Sequence, residues 1–254
     1  MTGNFITVPA PITNPLIVIP AIDEAETVGA VVAAVRVGCP DCTILVVDDG
    51  STDDTAALAS RAGALVASHA VNLGVGGAMR TGFHYAFRNG HDAVVQVDGD
   101  GQHPESQIGI LLEGLESSDI VIGARFGSDH DYPIGFVRRL AIRILSRAVS
   151  IHCKTRLTDV TSGFRAAGPR AIRLFASHYP IEYLGDTVES LVLAGKVGLT
   201  IREVPVAMEE RRSGRPSQSP FAATMHLVRA AFVTLQSFIR RPPDGAQALV
   251  EPAR

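Results

Sequence analysis

The first half of the chain alternates short apolar segments with helical patterns, and this alternation constrains the fold more than any other feature of the sequence. Strand–helix units joined by short connections form a mostly parallel sheet with helices on its faces. Strands are predicted at Leu16–Ile19, Thr43–Val47, Leu65–Ser68, Asp92–Val97 and Asp119–Gly123, and helices at Thr27–Val37, from Ser51 to about Ala62, at Gly76–Asn89 and at Pro104–Leu115. The pattern therefore predicts an α/β, Rossmann-like fold.

The second half is less regular. A helix predicted at Ile134–Ile151 is basic on one side, where it carries Arg138, Arg139, Arg143 and Arg147. The other predicted elements are a loop or strand at Asp159–Ala167, a helix at Thr187–Ala194, a strand at Leu199–Val204, a helix over 221–239 and a disordered tail from Pro242. The helix over 221–239 is amphipathic, because its apolar residues recur at steps of three and four. That stripe consists of Phe221, Met225, Val228, Phe232, Leu235 and Ile239.

Composition excludes several classes of protein. A formal net charge of -3 argues against a general nucleic-acid binder, which needs a basic surplus to neutralise phosphates. No apolar run reaches the roughly 18 to 20 residues that span a bilayer. The first residues lack the basic segment and apolar run of a secretory signal, so we expect a cytoplasmic protein. Cys39 and Cys42 form an isolated CxxC, and we interpret them as loop cysteines without a metal or redox role.

The segment that follows the fourth predicted strand carries oxygen ligands at regular spacing. Asp98, Asp100 and Gln102 alternate with glycines, and in an extended segment such side chains point the same way. Two carboxylates and an amide suit a hard divalent cation, Mg2+ or Mn2+, that keeps open positions for substrate phosphates. The spacing therefore predicts a metal site, with a helix-capping acidic turn as the alternative.

The polar clusters of the first half all follow predicted strands. They are Asp23 with Glu24, Asp48 with Asp49, Asn72, and the segment from Asp98 to Gln102. Ligands in parallel sheets bind at the carboxyl ends of the strands, so we expect one composite site there. Asp48, Asp53 and Asp54 are interpreted as helix-capping residues, with Ser51 and Asp54 forming a capping-box-like start to the second helix.

Six motifs occur in an order that resembles the family 2 glycosyltransferases of GT-A fold, especially the polyprenyl-phosphate (dolichol-phosphate mannose synthase-like) branch. The motifs are Pro20–Glu24, Val47–Ser51, Asn72–Ala78, Val97–Pro104, Asp159–Arg165, and Glu203–Val206 continuing through Arg211–Ser217. The resemblance implies transfer of a sugar from a UDP- or GDP-linked donor.

The resemblance covers roughly residues 14 to 220, the expected catalytic domain. Residues 221–241 form the amphipathic helix, and 1–13 and 242–254 are expected to be flexible tails.

The resemblance also implies residue roles. Glu24 and Asp49 would contact the nucleotide, Asp98 and Asp100 occupy the DxD positions, and Asp98, Asp100 and Gln102 would hold the metal on the diphosphate. The donor-binding set is completed by Pro20, Ile22, Gly74, Gly99, Arg125, Arg211 and Arg212. Asp159 belongs to the acceptor-side motif. Asp186 and Glu189, at the start of a helix, are equally candidates for the general base and for dipole-complementing charges.

Several alternatives stay open from the sequence. The acceptor can be a polyprenyl phosphate or a soluble small molecule or glycan. A nucleotidyltransferase would require an early glycine-rich loop bearing Arg or Lys, whereas the first strand leads into Pro20–Glu24. A non-catalytic nucleotide-sugar-binding protein would not need an intact set of metal ligands. The stripe over 221–239 predicts peripheral association with anionic membranes or, alternatively, docking on the core or on a partner copy in a homodimer.

Overall fold

The computed structural model describes residues 11–101, 104–125, 136–181, 186–206, 236 and 238–251, with the backbone alone at 125 and 136–142. Within these ranges the strands are β1 Pro15–Ala21, β2 Thr43–Asp48, β3 Leu65–Ser68, β4 Ala93–Gln96, β5 Ile120–Arg125, β6 Arg165–Ala167 and β7 Ile201–Val206. The helices are α1 Val28–Gly38, α2 Thr55–Arg61, α3 Gly74–Arg88, α4 Ile108–Gly114, α5 Phe136–His152, α6 Pro169–His178, α7 Asp186–Lys196 and α8 Ala246–Val250.

The described strands form one sheet of seven, in the order β3-β2-β1-β4-β6-β5-β7. β1 pairs in parallel with both β2 and β4, and β5 pairs in parallel with β7. The short strand β6 lies between β4 and β5 and is antiparallel to both. Because β6 runs backwards, its first residue, Arg165, lies at the same edge as the carboxyl ends of the other strands. The predicted mostly parallel sheet is confirmed.

Both faces of the sheet are buried, as expected where helices cover a parallel sheet on two sides. Alternate residues of β1 show the two-residue pleat, since Leu16 and Val18 join one core cluster and Ile17 and Ile19 join the other. The first cluster is formed with α3, α5, α6, α7 and α8, and the second with α1, α2 and α4. The two core clusters therefore hold the sheet from both sides and set the position of its polar edge.

Some predicted elements differ from the structure. Residues 169–178, for which no element was predicted, form α6, whose apolar residues pack into the first core cluster. Residues 246–250 form α8 where a disordered tail was predicted, because Ala246 and Val250 are buried and the carbonyls of Leu249 and Val250 accept bonds from Arg173 and Arg170. The predicted helix over 221–239 lies almost entirely outside the described residues.

One local prediction is also corrected. The capping box of Ser51 and Asp54 is not formed, because α2 begins at Thr55 and Asp54 makes no side-chain cap bond. The carboxylate of Asp53 instead accepts bonds from Thr55 and from the amide of Ala25. Partial burial opposes ionisation of Asp53, but these hydrogen bonds outweigh it and lower its pKa. Cys39 and Cys42, in the loop between α1 and β2, are joined by a disulfide.

Candidate active site

The polar clusters predicted to share one edge of the sheet do so. Ala21 at the end of β1 is in register with Asp48 at the end of β2, and the amide of Asp49 donates to the carbonyl of Ala21 at 2.8 Å. The amide of Val97, just past β4, donates to Val18 of β1 at 3.0 Å. Backbone pairing therefore brings the segments that contain Asp23, Asp49 and Asp98 to neighbouring positions.

The acidic segment after β4 forms a turn and is not the extended segment that was predicted to follow the strand. β4 ends at Gln96, Gly99 and Asp100 lie in a turn, and Gly101 has a φ of +75°, a left-handed conformation that side chains disfavour. The extended alternation expected for the three oxygen ligands is wrong for Asp98 and Asp100, because the intervening glycines bend the chain. Gln102 lies outside the described residues.

Asp98 lies between the donor-side and acceptor-side motifs. The side-chain amide of Gln96 donates to its Oδ1 at 3.2 Å. A Cβ placed on Gly163 would lie 3.3 Å from both carboxylate oxygens of Asp98 and 3.0 Å from Nε2 of Gln96. A side chain at position 163 would therefore press on Gln96 and Asp98, and glycine lets the acceptor-side segment approach Asp98 closely.

Arg165 is the buried centre of the site. Its guanidinium donates to the carbonyls of Ser162 at 2.6 Å, Val160 at 2.7 Å and Thr187 at 2.5 Å, and to the hydroxyl of Ser190 at 3.3 Å. Burial lowers its pKa, whereas Tyr179 and three carboxylates raise it. An arginine remains charged even under such burial. The three carboxylates, Asp98, Asp159 and Asp186, are therefore near enough to Arg165 to interact with its charge.

Asp186, at the first residue of α7, is an acid whose pKa is strongly raised. It is 5% exposed, and its Oδ2 has no hydrogen-bond partner among the described residues. Burial raises its pKa to about 6; Arg165 opposes this shift and Asp98 adds to it. A carboxyl with such a pKa can gain or lose a proton near neutral pH. Glu189 lies three residues later on the same helix and is half-buried.

Asp159 is fixed through a residue that sequence reasoning did not assign to the site. Glu203 on β7 accepts bonds from the amides of Asp159 at 3.0 Å and Thr158 at 2.6 Å, and from the hydroxyl of Thr158 at 2.7 Å. The hydroxyl of Thr161 donates to Oδ1 of Asp159 at 3.0 Å. Glu203 lies in one of the quoted motifs, but only the tertiary structure brings it to Asp159. The acceptor-side segment is therefore held at both ends, by Glu203 and by Arg165.

On the donor side, the carboxylate of Asp49 organises the start of α3. Its Oδ1 accepts bonds from Nδ1 of His69 at 2.7 Å and from the amide of Leu73 at 2.9 Å, and its Oδ2 accepts from the amide of Gly74 at 2.7 Å. Nε2 of His69 lies 2.9 Å from the hydroxyl of Thr81, which is further along α3. Asp49 is buried, and His69 is a second residue that sequence reasoning missed.

The loop after β1 forms the other side of the donor region. Asp23 has a φ of +51°, and its Oδ1 accepts from the amide of Thr52 at 2.8 Å, while its own amide donates to Ser51. Glu24 accepts from the hydroxyl of Thr27 at 2.9 Å and lies beside Gly99, as does Pro20. Ile22 is exposed at the rim. The predicted donor-side residues of β1, β2 and β4 are therefore neighbours.

The remaining predicted residues lie beyond what the structure describes. Arg125 ends β5 in register with Val206, but its side chain is not described, and Arg211 and Arg212 lie outside the described ranges. Within those ranges no three His, Cys, Asp or Glu side chains form a metal-binding cluster. Asp98 and Asp100 nonetheless fit a Mg2+ or Mn2+ ion, which proteins often hold through one or two carboxylates together with substrate phosphates.

Comparison with known proteins decides the family. The family model for Glycosyl transferase family 2 matches residues 16–172, and an undecaprenyl-phosphate mannosyltransferase of Micrococcus luteus is 32% identical over 215 residues, covering 80% of this chain and 87% of the relative. The chain belongs to glycosyl transferase family 2. A second similar protein is the polyprenol monophosphomannose synthase of Mycolicibacterium smegmatis, 29% identical over 255 residues and covering 94% of this chain and 92% of that one.

Solved structures agree with the GT-A fold of this family 2 glycosyltransferase. Glucosyl-3-phosphoglycerate synthase from Mycobacterium tuberculosis, in complex with Mn2+, UDP-glucose and phosphoglyceric acid, superposes with a TM-score of 0.69 at 23% identity, covering 92% of this chain and 82% of that chain. The same enzyme has been solved with Mg2+ and UDP. Among the helices that the structure describes, none is sufficiently long and apolar to cross a membrane.

Proposed function

We propose that this glycosyltransferase moves a sugar from a UDP- or GDP-linked donor to the phosphate of a polyprenyl phosphate, with a divalent cation on the donor diphosphate. The observation that carries the proposal is the grouping of Asp98, Asp159 and Asp186 around Arg165, directly behind the acidic turn. The names of two similar relatives, an undecaprenyl-phosphate mannosyltransferase and a polyprenol monophosphomannose synthase, support this acceptor, and a structural neighbour was solved with Mn2+ and UDP-glucose, which supports the donor and the cation.

The donor would lie across the carboxyl ends of β1, β2 and β4. Asp98 and Asp100, with Gln102, would hold the cation, which offsets the negative charge of the departing nucleoside diphosphate. Glu24 and Asp49 would position the nucleoside, with Pro20, Ile22, Gly74 and Gly99 shaping the cleft. Arg125, Arg211 and Arg212 would bind donor and acceptor phosphates.

The acceptor would approach from the Asp159–Arg165 segment. A phosphate acceptor is anionic at neutral pH and needs no general base, whereas a hydroxyl acceptor needs one. Of the two acids on α7, Asp186 fits the proton-accepting role better than Glu189, because it is buried beside Arg165 and has a raised pKa. With a polyprenyl phosphate, which needs no base, Asp186 would instead contribute negative charge beside Arg165.

The direct test is a matrix of donors and acceptors. The purified chain is incubated with UDP- and GDP-linked hexoses, with Mg2+, Mn2+ or EDTA, and with polyprenyl phosphate, a free polyprenol or soluble phosphorylated small molecules. We expect transfer from one nucleotide class to the polyprenyl phosphate, and its loss in EDTA. Transfer to a soluble acceptor alone would contradict the proposed acceptor and leave the proposed donor site in place.

The role of Asp186 can be tested in the same assay. In Asp186→Asn, transfer to a phosphate acceptor should fall by roughly tenfold or less, whereas a hydroxyl acceptor should lose about 100-fold or more, the usual contribution of a general base. Asp54→Asn, at an exposed carboxylate of the α2 N-terminus, is the matched control and should keep full activity.

A further inference from the structure

A basic groove lies outside the active site, between α5 and the segment that follows it. It has a volume of about 800 Å³. Its lining includes four cations, Arg143, Arg147, Lys154 and Arg156. All four are exposed, and within the described part of the chain none of their side chains makes an ion pair or hydrogen bond. Like charges this close repel one another, so the groove is suited to an anionic occupant.

The wall of the groove is fixed by hydroxyl groups, so its shape is part of the fold. The hydroxyl of Ser146 donates to the carbonyl of Thr158 at 3.1 Å, and the amide of Leu157 donates to the hydroxyl of Ser150 at 3.0 Å. Leu157 itself is buried in the first core cluster. The segment that carries Arg156 is therefore tied to the helix that carries Arg143 and Arg147.

Lys154 occupies a position that a glycine would fill without cost. It follows α5 with a φ of +53°, and the amide of Thr155 donates back to the carbonyl of Ser150 at 3.1 Å, closing the helix. Left-handed residues at helix ends are usually glycine because a side chain is disfavoured there. A lysine in this conformation costs free energy, which indicates a use for its charge beyond ending the helix.

Two large apolar side chains lie beside the cations and identify the kind of occupant. Ile144 and Ile151, seven residues apart and so on one face of α5, are 62% and 70% exposed, with Arg147 between them. A free phosphate or nucleotide would leave these isoleucines in water. A lipid surface accounts for both features, because amphipathic helices insert apolar side chains below the headgroups while basic side chains bind anionic lipids.

We propose that the basic groove, together with Ile144 and Ile151, docks the enzyme on an anionic membrane surface. Phosphate groups of lipids lie along the four cations, and the two isoleucines enter the headgroup boundary. Thr158, at the end of the groove, is followed directly by Asp159 of the acceptor-side motif. The inference rests on the proposed function in one respect, since a lipid acceptor would then reach the site from the docked surface.

Vesicle co-sedimentation of the full chain tests the proposal. Vesicles of phosphatidylcholine that contain about 30% of the anionic lipid phosphatidylglycerol are compared with vesicles of pure phosphatidylcholine. We expect binding to the anionic vesicles that salt releases, and none to the neutral ones. Arg147→Glu/Lys154→Glu should lower the partition coefficient by at least about tenfold, and Ile144→Ser/Ile151→Ser by several-fold.

The control must have the same change in net charge at another surface. Arg61→Glu/Arg88→Glu reverses two exposed arginines at the ends of α2 and α3 and should change partitioning by less than about twofold. Equal losses in both double variants, or unchanged binding of Arg147→Glu/Lys154→Glu, would overturn the proposal. Unchanged melting temperatures exclude unfolding as the cause of a loss.

The vesicles contain neither donor nor polyprenyl phosphate, so their binding does not depend on transfer activity. Conversely, a polyprenyl phosphate presented in detergent tests the proposed reaction without a membrane. If transfer occurs in detergent but the chain ignores anionic vesicles, the docking surface is wrong and the proposed function stands. If the chain binds anionic vesicles but transfers no sugar to any acceptor, the docking surface stands and the proposed function is wrong.

Discussion

The carboxylate of Asp49 and the imidazole of His69 are joined by a hydrogen bond of 2.7 Å beneath the donor side of the site. Because an ionised carboxylate only accepts hydrogen bonds, Nδ1 of His69 donates here. The same carboxylate accepts the amides of Leu73 and Gly74, so it fixes the start of α3 as well as the ring. Asp49 therefore couples any contact with the nucleotide to the position of α3.

Replacement of Asp49 should consequently affect both binding and stability. We expect Asp49→Ala to weaken nucleotide affinity by about 1 to 3 kcal/mol and to lower the free energy of unfolding by a similar amount, because buried donors lose their acceptor. Asp53→Ala, which removes the local bonds to Thr55 and Ala25, should cost stability but little affinity. Calorimetric titration with UDP and GDP, with urea unfolding of each variant, separates the two effects. Equal affinity losses in both variants would place the nucleotide elsewhere.

His69→Asn tests the coupling itself. Asparagine can donate one hydrogen bond toward Asp49 but cannot also reach Thr81 as the ring does, so α3 should loosen near its start. We expect a several-fold rise in the Kd for nucleotide and a loss of about 1 kcal/mol in stability. His84→Asn, at an exposed position of the same helix, is the control. An unchanged Kd in His69→Asn would show that the ring does not contribute to the donor site.

Asp100 provides the test of metal binding. In Asp100→Asn the shape of the side chain is retained and one charge is lost, so the divalent-dependent part of donor binding should weaken at least tenfold, about 1.4 kcal/mol. Stability should not change, because Asp100 lies in a turn and only part of it is buried. Titration of nucleoside diphosphate with and without Mn2+ measures the difference. If the metal-dependent increment is the same as in Asp54→Asn, Asp100 is not a ligand.

Asp186 should lower the free energy of unfolding as pH rises, whereas most carboxylates of folded proteins lower it as pH falls. Its pKa is raised to about 6 in the folded state, so the folded chain holds a proton that the unfolded chain releases near pH 4. The contribution of Asp186 is therefore favourable below about pH 4, and stability is lost as pH rises toward about 6. In Asp186→Asn this loss should disappear, leaving the variant more stable at pH 7 by up to about 3 kcal/mol. Urea unfolding from pH 4 to pH 8 measures the difference curve, and a flat curve would contradict the assignment.

Arg165 and Asp186 should also be coupled. Arg165→Leu leaves carbonyls and a buried carboxylate without their cation, which costs about 3 to 5 kcal/mol. The double variant Arg165→Leu/Asp186→Asn should lose less than the sum of the single changes, because the unpaired charge is then absent. Unfolding of the four proteins completes the cycle. Strict additivity would mean that the two side chains are energetically independent.

The sequence by itself determined that the sheet is mostly parallel and at which edge of it the polar residues meet. Buried strands such as Leu16–Ile19 are recognisable because a parallel sheet covered on both faces needs continuous apolar runs. The polar residues that follow these runs must then meet at one edge, so the neighbourhood of Glu24, Asp49 and Asp98 could be predicted without coordinates. The extended spacing of the acidic segment could not, because the glycines that alternate with its carboxylates allow either an extended chain or a turn.

Only the tertiary structure decided what surrounds these residues. Arg165 sits in a strand of three residues, too short for periodicity to identify, and its partners come from α7 and the preceding loop. Glu203 reaches Asp159 from 44 residues away along the chain, and His69 reaches Asp49 from 20. Whether a carboxylate is buried beside a cation or exposed at a helix start depends on packing between distant segments. For that reason Asp186 and Glu189 were equivalent in sequence and are distinct in structure.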